Sequence, residues 1–296
     1  MQALASEQLL FSALVLGATY ALIALGLNLV YGTMRLLNVA HGDLAMLGAY
    51  VAYWLFTFMT VPPLVSMFLA IVIAAGLGAL AYVGIFRRQL AERTTAGRLE
   101  ANSLLLFFGL SVIMQNVASL AFTGSLRAYQ YLDEVLTIGG VAMTGNRLVM
   151  LLLTIGVCAA LTLFLRLNIY GLAIKALIQN RDAAAVVGVN VERVQLVTFS
   201  LGFGLAGLAG ALISMTEQIS PFMGFPFTIA AFIVIILGGL GNIPGGILAG
   251  LLLGFLEVYG VALTSPMYRS VLLYGVFVGV LILRPQGLFG LRRIVR

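Results

Sequence analysis

Charged residues divide the chain into long apolar runs. Free of Asp, Glu, Lys and Arg are residues 8–34, 44–86, 101–126, 148–165, 194–216 and 218–256, then 258–268 and 270–283. A spanning helix needs about 20 predominantly apolar residues, whereas a membrane-barrel strand needs about 10 of alternating polarity. These runs are apolar throughout, so they predict helices. The 44–86 run has room for two, with Val61-Pro62-Pro63 as the break, and 218–256 is cut by the glycine-rich block from Gly238 to Gly246. The pattern predicts an all-α, polytopic transmembrane bundle, a single domain over 1–296. It has eight or nine spans: 9–30, 44–61, 63–86, 101–123, 148–165, 195–215, 227–240, 247–263 and 270–284. The seventh and ninth are short enough to be half-spans.

Composition agrees and excludes other classes. Hydrophobic residues make up 62% of the chain and charged residues 9%, against about 25% charged in an ordinary soluble domain. Such a sequence can neither cover a soluble surface nor stay disordered. Cys158 is the single cysteine, so there is no disulfide framework. The first thirty residues lack Lys and Arg and so lack the basic region of a cleaved signal peptide. The first span is therefore expected to be retained, amino end outside. Arginine and lysine concentrate in 87–100 (Arg87, Arg88, Arg93, Arg98), 166–193 (Arg166, Lys175, Arg181, Arg193) and the tail (Arg284, Arg292, Arg293, Arg296). Nine spans place all three on one side, which the positive-inside rule makes cytoplasmic. Orientation accounts for the basic balance, and no nucleic-acid partner is needed.

The loop 166–194 is too polar to span. Gly171 to Asn180 reads as a short helix with an apolar face. Arg181 and Asp182 follow, then a second short helix from Ala183 that ends on Gly188 and Asn190. Such a loop either lies on lipid headgroups or docks a soluble partner. No Gly-x-x-x-x-Gly-Lys-Ser/Thr loop occurs, since the only lysine, Lys175, follows Ile174. Any ATP that drives this chain must be hydrolysed elsewhere.

Polar residues near or inside the spans are the remaining candidates. His41, the only histidine, cannot make a metal site alone. In Asn38-Val39-Ala40-His41-Gly42-Asp43 it anchors a loop, with Asp43 favouring the positive end of the next helix and Arg35 near enough in sequence to pair with it. Alternatively this is a broken-helix element near the translocation path, with Asn28, Tyr31 and Asn38 also facing the bundle interior and joining His41 and Asp43 along the substrate pathway. The glycine block packs helices closely through Gly241/Gly245 and Gly246/Gly250/Gly254. Alternatively the break at Gly239, Gly241 and Asn242 lines a pathway and offers open backbone groups. Glu257 lies within a span and requires a partner or water, and Glu217 sits at the outer mouth. Gln115 and Asn116 are expected to cross-link helices. The loop 124–147 is exposed. No second histidine, paired carboxylates or metal cluster suggests catalysis.

The order of several motifs adds a family. Asp182-Ala183-Ala184-x-x-x-Gly188 resembles the Glu-Ala-Ala-x-x-x-Gly cytoplasmic loop of ABC-importer permeases, with Asp for Glu. Gly17 to Gly32, Leu37-Asn38-Val39-Ala40-His41-Gly42-Asp43, Met46 to Tyr50, Thr198-Phe199, Leu205 to Gly210, Gly238 to Gly246 and Arg284-Pro285-Gln286-Gly287-Leu288-Phe289-Gly290 complete the set. Together they resemble, over nearly the whole chain, LivH-type permeases of branched-chain amino acid ABC importers. The resemblance implies a coupling element at 171–190 that fits a cleft on an ATPase subunit, with Lys175, Asn180, Arg181, Asp182, Ala183, Ala184 and Gly188 as its residues. It implies two ATPase subunits, a second related permease chain and a periplasmic or lipoprotein substrate-binding protein landing on 124–147 and 216–226. ATP and magnesium would be held by the ATPases, with no cofactor in this chain. The expected cargo is a branched-chain or other small amino acid. Urea or a short amide is the alternative within the family, and a stand-alone channel or secondary carrier the alternative outside it.

Overall fold

A computed structural model describes residues 6–91, 96–284 and 286–289. Arg93, Pro285, Gly290, Arg292, Arg293 and Arg296, all named above, lie outside them. The helices are α1 (Glu7–Met34), α2 (His41–Met59), α3 (Pro63–Ala81), which runs through a π-helical turn (Tyr82–Phe86) into α4 (Arg87–Ala91), and α5 (Ala96–Phe122). After a hairpin of β1 (Val135–Ile138) and β2 (Val141–Thr144) come α6 (Gly145–Leu167), α7 (Ile169–Gln179), α8 (Arg181–Val186), α9 (Val191–Ile213), α10 (Gly224–Gly238), α11 (Ile243–Leu263) and α12 (Arg269–Leu283). Among the described residues, eight helices are long and apolar enough to cross a membrane.

Local chemistry sets the ends of these helices. Asn168, Asn180, Asn190 and Asn242 each accept a hydrogen bond from a first-turn amide, at 2.9 to 3.1 Å, and so start α7, α8, α9 and α11. Asn190 thus opens α9 and does not close the preceding helix, while Arg181 and Asp182 form the first turn of α8 and not a linker. Gly139 and Gly140, at φ 60° and 89°, make the two-residue turn of the hairpin. This small antiparallel pair, Val135 opposite Thr144, departs from an all-α chain, as does the isolated bridge of Arg127 with Ile219.

The bundle is held by glycine contacts. α11 lies antiparallel on α1: Gly246 faces Asn28, Gly250 faces Ala21 and Gly254 faces Gly17. A Cβ on Gly250 would come 2.6 Å from the Ala21 amide nitrogen, so the stripe read from the sequence is the seam between these helices. α9, the most buried span, uses Gly202 against α1 and Gly207 and Gly210 against α3 and α2. α3, α5 and α12 present apolar side chains outward, including Phe68, Val72, Phe108, Leu120, Val271 and Ile282.

α10 fills the seventh position differently from an ordinary span. Its 15 residues give roughly 22 Å, short of the ~30 Å hydrocarbon thickness. It starts at Gly224 and not at 227, because Pro226 falls in the first turn, where a missing N–H costs nothing. Gly224 abuts Gly42 at the start of α2, whereas Gly238 abuts Gly245 and Gly246 at the start of α11. Among the described residues, the preceding loop and α10 together complete a ninth passage, so α1 starts and α12 finishes at opposite ends of the bundle.

The seam yields a test. Gly250→Leu should abolish or strongly lower recovery of folded protein, because overpacking a core typically costs about 1–3 kcal/mol even where backbone is not the obstacle. Gly156→Leu should be tolerated, since a Cβ at Gly156 meets nothing within 4 Å. Thermal melting of the detergent-purified proteins, followed by size exclusion, compares the two.

Candidate functional site

The polar residues singled out in the sequence fall into four places. The first is the loop at the end where α6 finishes and α9 begins. α7 buries Ile174 and Leu177 against the bundle, and Gly171 sits directly on the backbone of Phe164 and Leu165. Arg181 donates to the Leu90 carbonyl at 3.2 Å, Arg87 pairs with Glu192 at 2.5 Å, and Tyr82 donates to the Glu192 carbonyl at 3.2 Å. These bonds tie the loop to the end of α3 and α4. In α8 only Ala184 is buried; Asp182, Ala183, Ala185, Val186 and Val187 are exposed, the two valines at 86% and 77%. Gly188, at φ 88°, turns the chain toward α9. Lys175 is half-buried.

The second place joins Asn28, Gly241 and Asn242. Asn28 accepts from the Gly241 amide at 2.8 Å and donates to the Asn242 carbonyl at 2.9 Å. Gly239 and Gly241, at φ 86° and 82°, make the turn that only glycine adopts freely. Two backbone groups that the glycine break would offer to a substrate are therefore engaged by Asn28, and the block packs as a closed turn. Asn242 donates to the Phe289 carbonyl at 2.7 Å, which fastens the tail here. The tail, the loop 169–190 and the α3–α4 end, three basic segments in the sequence, thus share one end of the bundle. Tyr31 stands nearby, donating to Glu100 at 3.1 Å.

The third place is the start of α2. His41 begins the helix and is not in a loop outside it, and its Nε2 lies 2.9 Å from the carbonyl of Ile23, midway along α1. Residues 35–40 therefore run back into the bundle, with Leu36, Asn38 and Ala40 fully buried. The irregular segment 35–40 is tolerated inside the bundle because protein surrounds it. Thr228 of α10 accepts from the Gly42 amide at 2.8 Å and donates to the Val39 carbonyl at 3.2 Å. Asp43 receives Gln115 at 3.0 Å and not Arg35, which is exposed. Gln115 therefore does link two helices, whereas Asn116 donates to Val112 of its own helix.

The fourth place is at the other end, around Glu257. This carboxylate, 4% exposed, receives the Tyr20 hydroxyl at 2.6 Å and ion-pairs with Arg269. Beside it a cavity of about 560 Å³ opens between α1, α6, α10 and α12, with Thr19, Tyr20, Arg147, Glu217, Phe227 and Arg269 on its wall. Above it the loops 124–147 and 216–226 are joined: Arg127 and Ile219 exchange backbone hydrogen bonds at 2.7 and 2.8 Å. Tyr129 meets Ser214 at 2.8 Å, and burial pushes its phenol up to about 12. Tyr20 and Arg269 were not foreseen as site residues. The available signal was Glu257 itself, which demands a cation, and Arg269 is twelve residues on.

Among the described residues, eight spanning helices with the shorter α10, an exposed short-helix loop at one end and a charged cavity at the other define a polytopic membrane protein of the transport-subunit class. The family model described as "Branched-chain amino acid transport system / permease component" matches residues 9–281. The chain is 31% identical over 292 residues to the high-affinity branched-chain amino acid transport system permease protein BraD of Pseudomonas aeruginosa, covering 96% of this chain and 95% of that one. It is 31% identical over 297 residues to LivH of Escherichia coli K12, with the same coverage. It is also 28% identical to LivM of that organism, over 93% of this chain and 68% of LivM. The chain belongs to the branched-chain amino acid transport system permease family.

Asn28→Leu should destabilise the protein by about 1–3 kcal/mol, the cost of leaving the Gly241 amide and Asn242 carbonyl unpaired. Asn28→Asp, which keeps an acceptor for Gly241 but sets a buried carboxylate oxygen against the Asn242 carbonyl, should destabilise at least as much. Thermal unfolding in one detergent ranks the variants.

Proposed function

We propose that this chain is one transmembrane subunit of an ATP-driven importer, resident in the bacterial cytoplasmic membrane, that moves branched-chain or other small amino acids inward. The family, and the branched-chain amino acid transport in which BraD and LivH serve as permeases, support the cargo. Two ATPase subunits hold and hydrolyse ATP with magnesium; this chain contributes no nucleotide loop and no catalysis. Its similarity to both LivH and LivM supports a related second permease as its partner in the membrane. A soluble binding protein delivers the amino acid onto the joined loops 124–147 and 216–226. The end carrying the basic segments faces the cytoplasm.

The observation that carries this reading is the loop 169–190. It is a rigid lever with three asparagine-capped helix starts, including that of α9, an anchored face and an exposed apolar tip. Val186 and Val187 supply contact area, while Arg181 and Asp182 at the rim set register and encounter rate more than affinity. ATPase closure would press this tip. Through α7 on α6, and through Arg181 and Glu192 on the α3–α4 end, the push reaches several spans, and the site alternates between sides.

Val186→Asp with Val187→Asp, both exposed and without an anchoring role, should abolish ATP-dependent leucine uptake by the reconstituted complex while the permease still inserts and purifies. Reversing charge at Asp182 (Asp182→Lys) should do the same in part. Undiminished uptake in the valine double variant would sink the lever. Robust uptake by this chain alone, without ATPase, would favour a carrier.

A further inference from the structure

We propose that the cavity between α1, α6, α10 and α12 is an amino-acid site of the permease itself, in which Arg269 clamps the α-carboxylate and Tyr20 and Glu257 hold that guanidinium in place. The inference rests on the importer reading above and places a substrate contact within this chain.

Glu257 is buried in the apolar part of α11, where a lone carboxylate is costly. Both its oxygens are engaged, one by the Tyr20 hydroxyl and one by Arg269 Nε. If neutralising Glu257 were the whole role of Arg269, a guanidinium enclosed with its partner would serve. Instead the Arg269 side chain is 58% exposed and forms part of the cavity wall. A guanidinium has five N–H donors in a rigid fork, and Nε–H is one of them. Fixing Nε from behind leaves the outer edge of the fork for a second carboxylate, the group this geometry matches in a two-point contact. The ordering cost of a long side chain is met before the ligand arrives.

The rest of the wall suits a zwitterion with an aliphatic side chain. It carries both signs of charge: Glu217, which is exposed and could face an ammonium group, and Arg147 both line it. Most of the remaining lining is apolar, including Met150, Phe227 and Leu273, and the Thr19 hydroxyl adds a polar point. A volume of about 560 Å³ lies in the usual range for small-molecule sites, which are mostly apolar with a few placed polar groups. The site opens at the end away from the loop 169–190, beneath the joined loops 124–147 and 216–226, where cargo released by a binding protein would arrive.

The test uses the purified four-subunit complex in proteoliposomes, with and without loaded binding protein, and radiolabelled L-leucine as probe. Without binding protein, the wild-type complex should bind leucine saturably. Isoamylamine, which lacks the carboxylate, should not compete. Arg269→Gln with Glu257→Gln, a pair that leaves no buried unpaired charge, should weaken leucine binding at least about tenfold, the scale of one charge-assisted pair. It should also lower maximal uptake at saturating binding protein, with the half-saturating concentration of loaded binding protein unchanged. Tyr20→Phe should lower the melting temperature, since it unpairs one buried Glu257 oxygen, and should also weaken leucine binding, whereas a purely structural hydroxyl would move the melt and not the affinity. Leucine binding and uptake unaffected in the double variant, or full competition by isoamylamine, would overturn the clamp alone. A wild-type complex that transports no amino acid would instead overturn the importer reading on which it rests.

Discussion

Helices in hydrocarbon gain little by hiding apolar surface from one another, because lipid chains are as apolar as leucine. What holds this bundle is the distance to which backbones can approach, and small residues set it. Gly246, Gly250 and Gly254 let α11 press on α1, and Gly202, Gly207 and Gly210 let α9 press on α1, α3 and α2. Larger side chains there would part the helices, and the polar contacts they bring together would be lost. Asn28 reaches the turn at Gly241 and Asn242 only because α1 and α11 touch, and Tyr20 reaches Glu257 across the same seam.

Against that frame the buried polar groups have distinct duties. Asn28 completes a turn, Thr228 joins two helix starts, Gln115 supports Asp43, and Tyr20 with Arg269 neutralises Glu257. Each replaces water that the bilayer cannot supply. They are single contacts between elements distant in sequence, so they fix register as well as add stability.

The spans were legible because a charge-free apolar run of the right length has few alternatives in a membrane. The short loop helices were legible from Asn, Gly and an apolar face: α7 does end at Asn180, which also caps α8, whereas Asn190 begins α9 and does not close the helix before it. The α2 start was less so. A run of apolar residues does not reveal depth, and only the contact of His41 with Ile23 shows that the helix begins halfway along α1. The glycine break looked open in the sequence because its partner, Asn28, lies more than two hundred residues away. The hairpin had its signal in Gly139-Gly140 and was passed over because the rest of the chain is helical. Glu257 stood out as anomalous, yet the cavity beside it is assembled from five separated segments and leaves no linear pattern.

The fastening of the tail at Asn242 has a mechanical meaning. Phe289 accepts from Asn242, and the Leu288 amide donates to the Leu237 carbonyl at 2.7 Å, so residues 288–289 are stitched to the α10–α11 turn that Asn28 also grips. α1, that turn and the tail therefore form one body at the end where the loop 169–190 lies, with Ile178 of α7 against Gly32 and Gly241. On the far side the same region is tied to the end of α3 and α4 by side-chain bonds alone, Arg181 to Leu90 and Arg87 and Tyr82 to Glu192. The two sides of the loop are therefore fastened unequally, one by packed backbone turns and the other by single side chains.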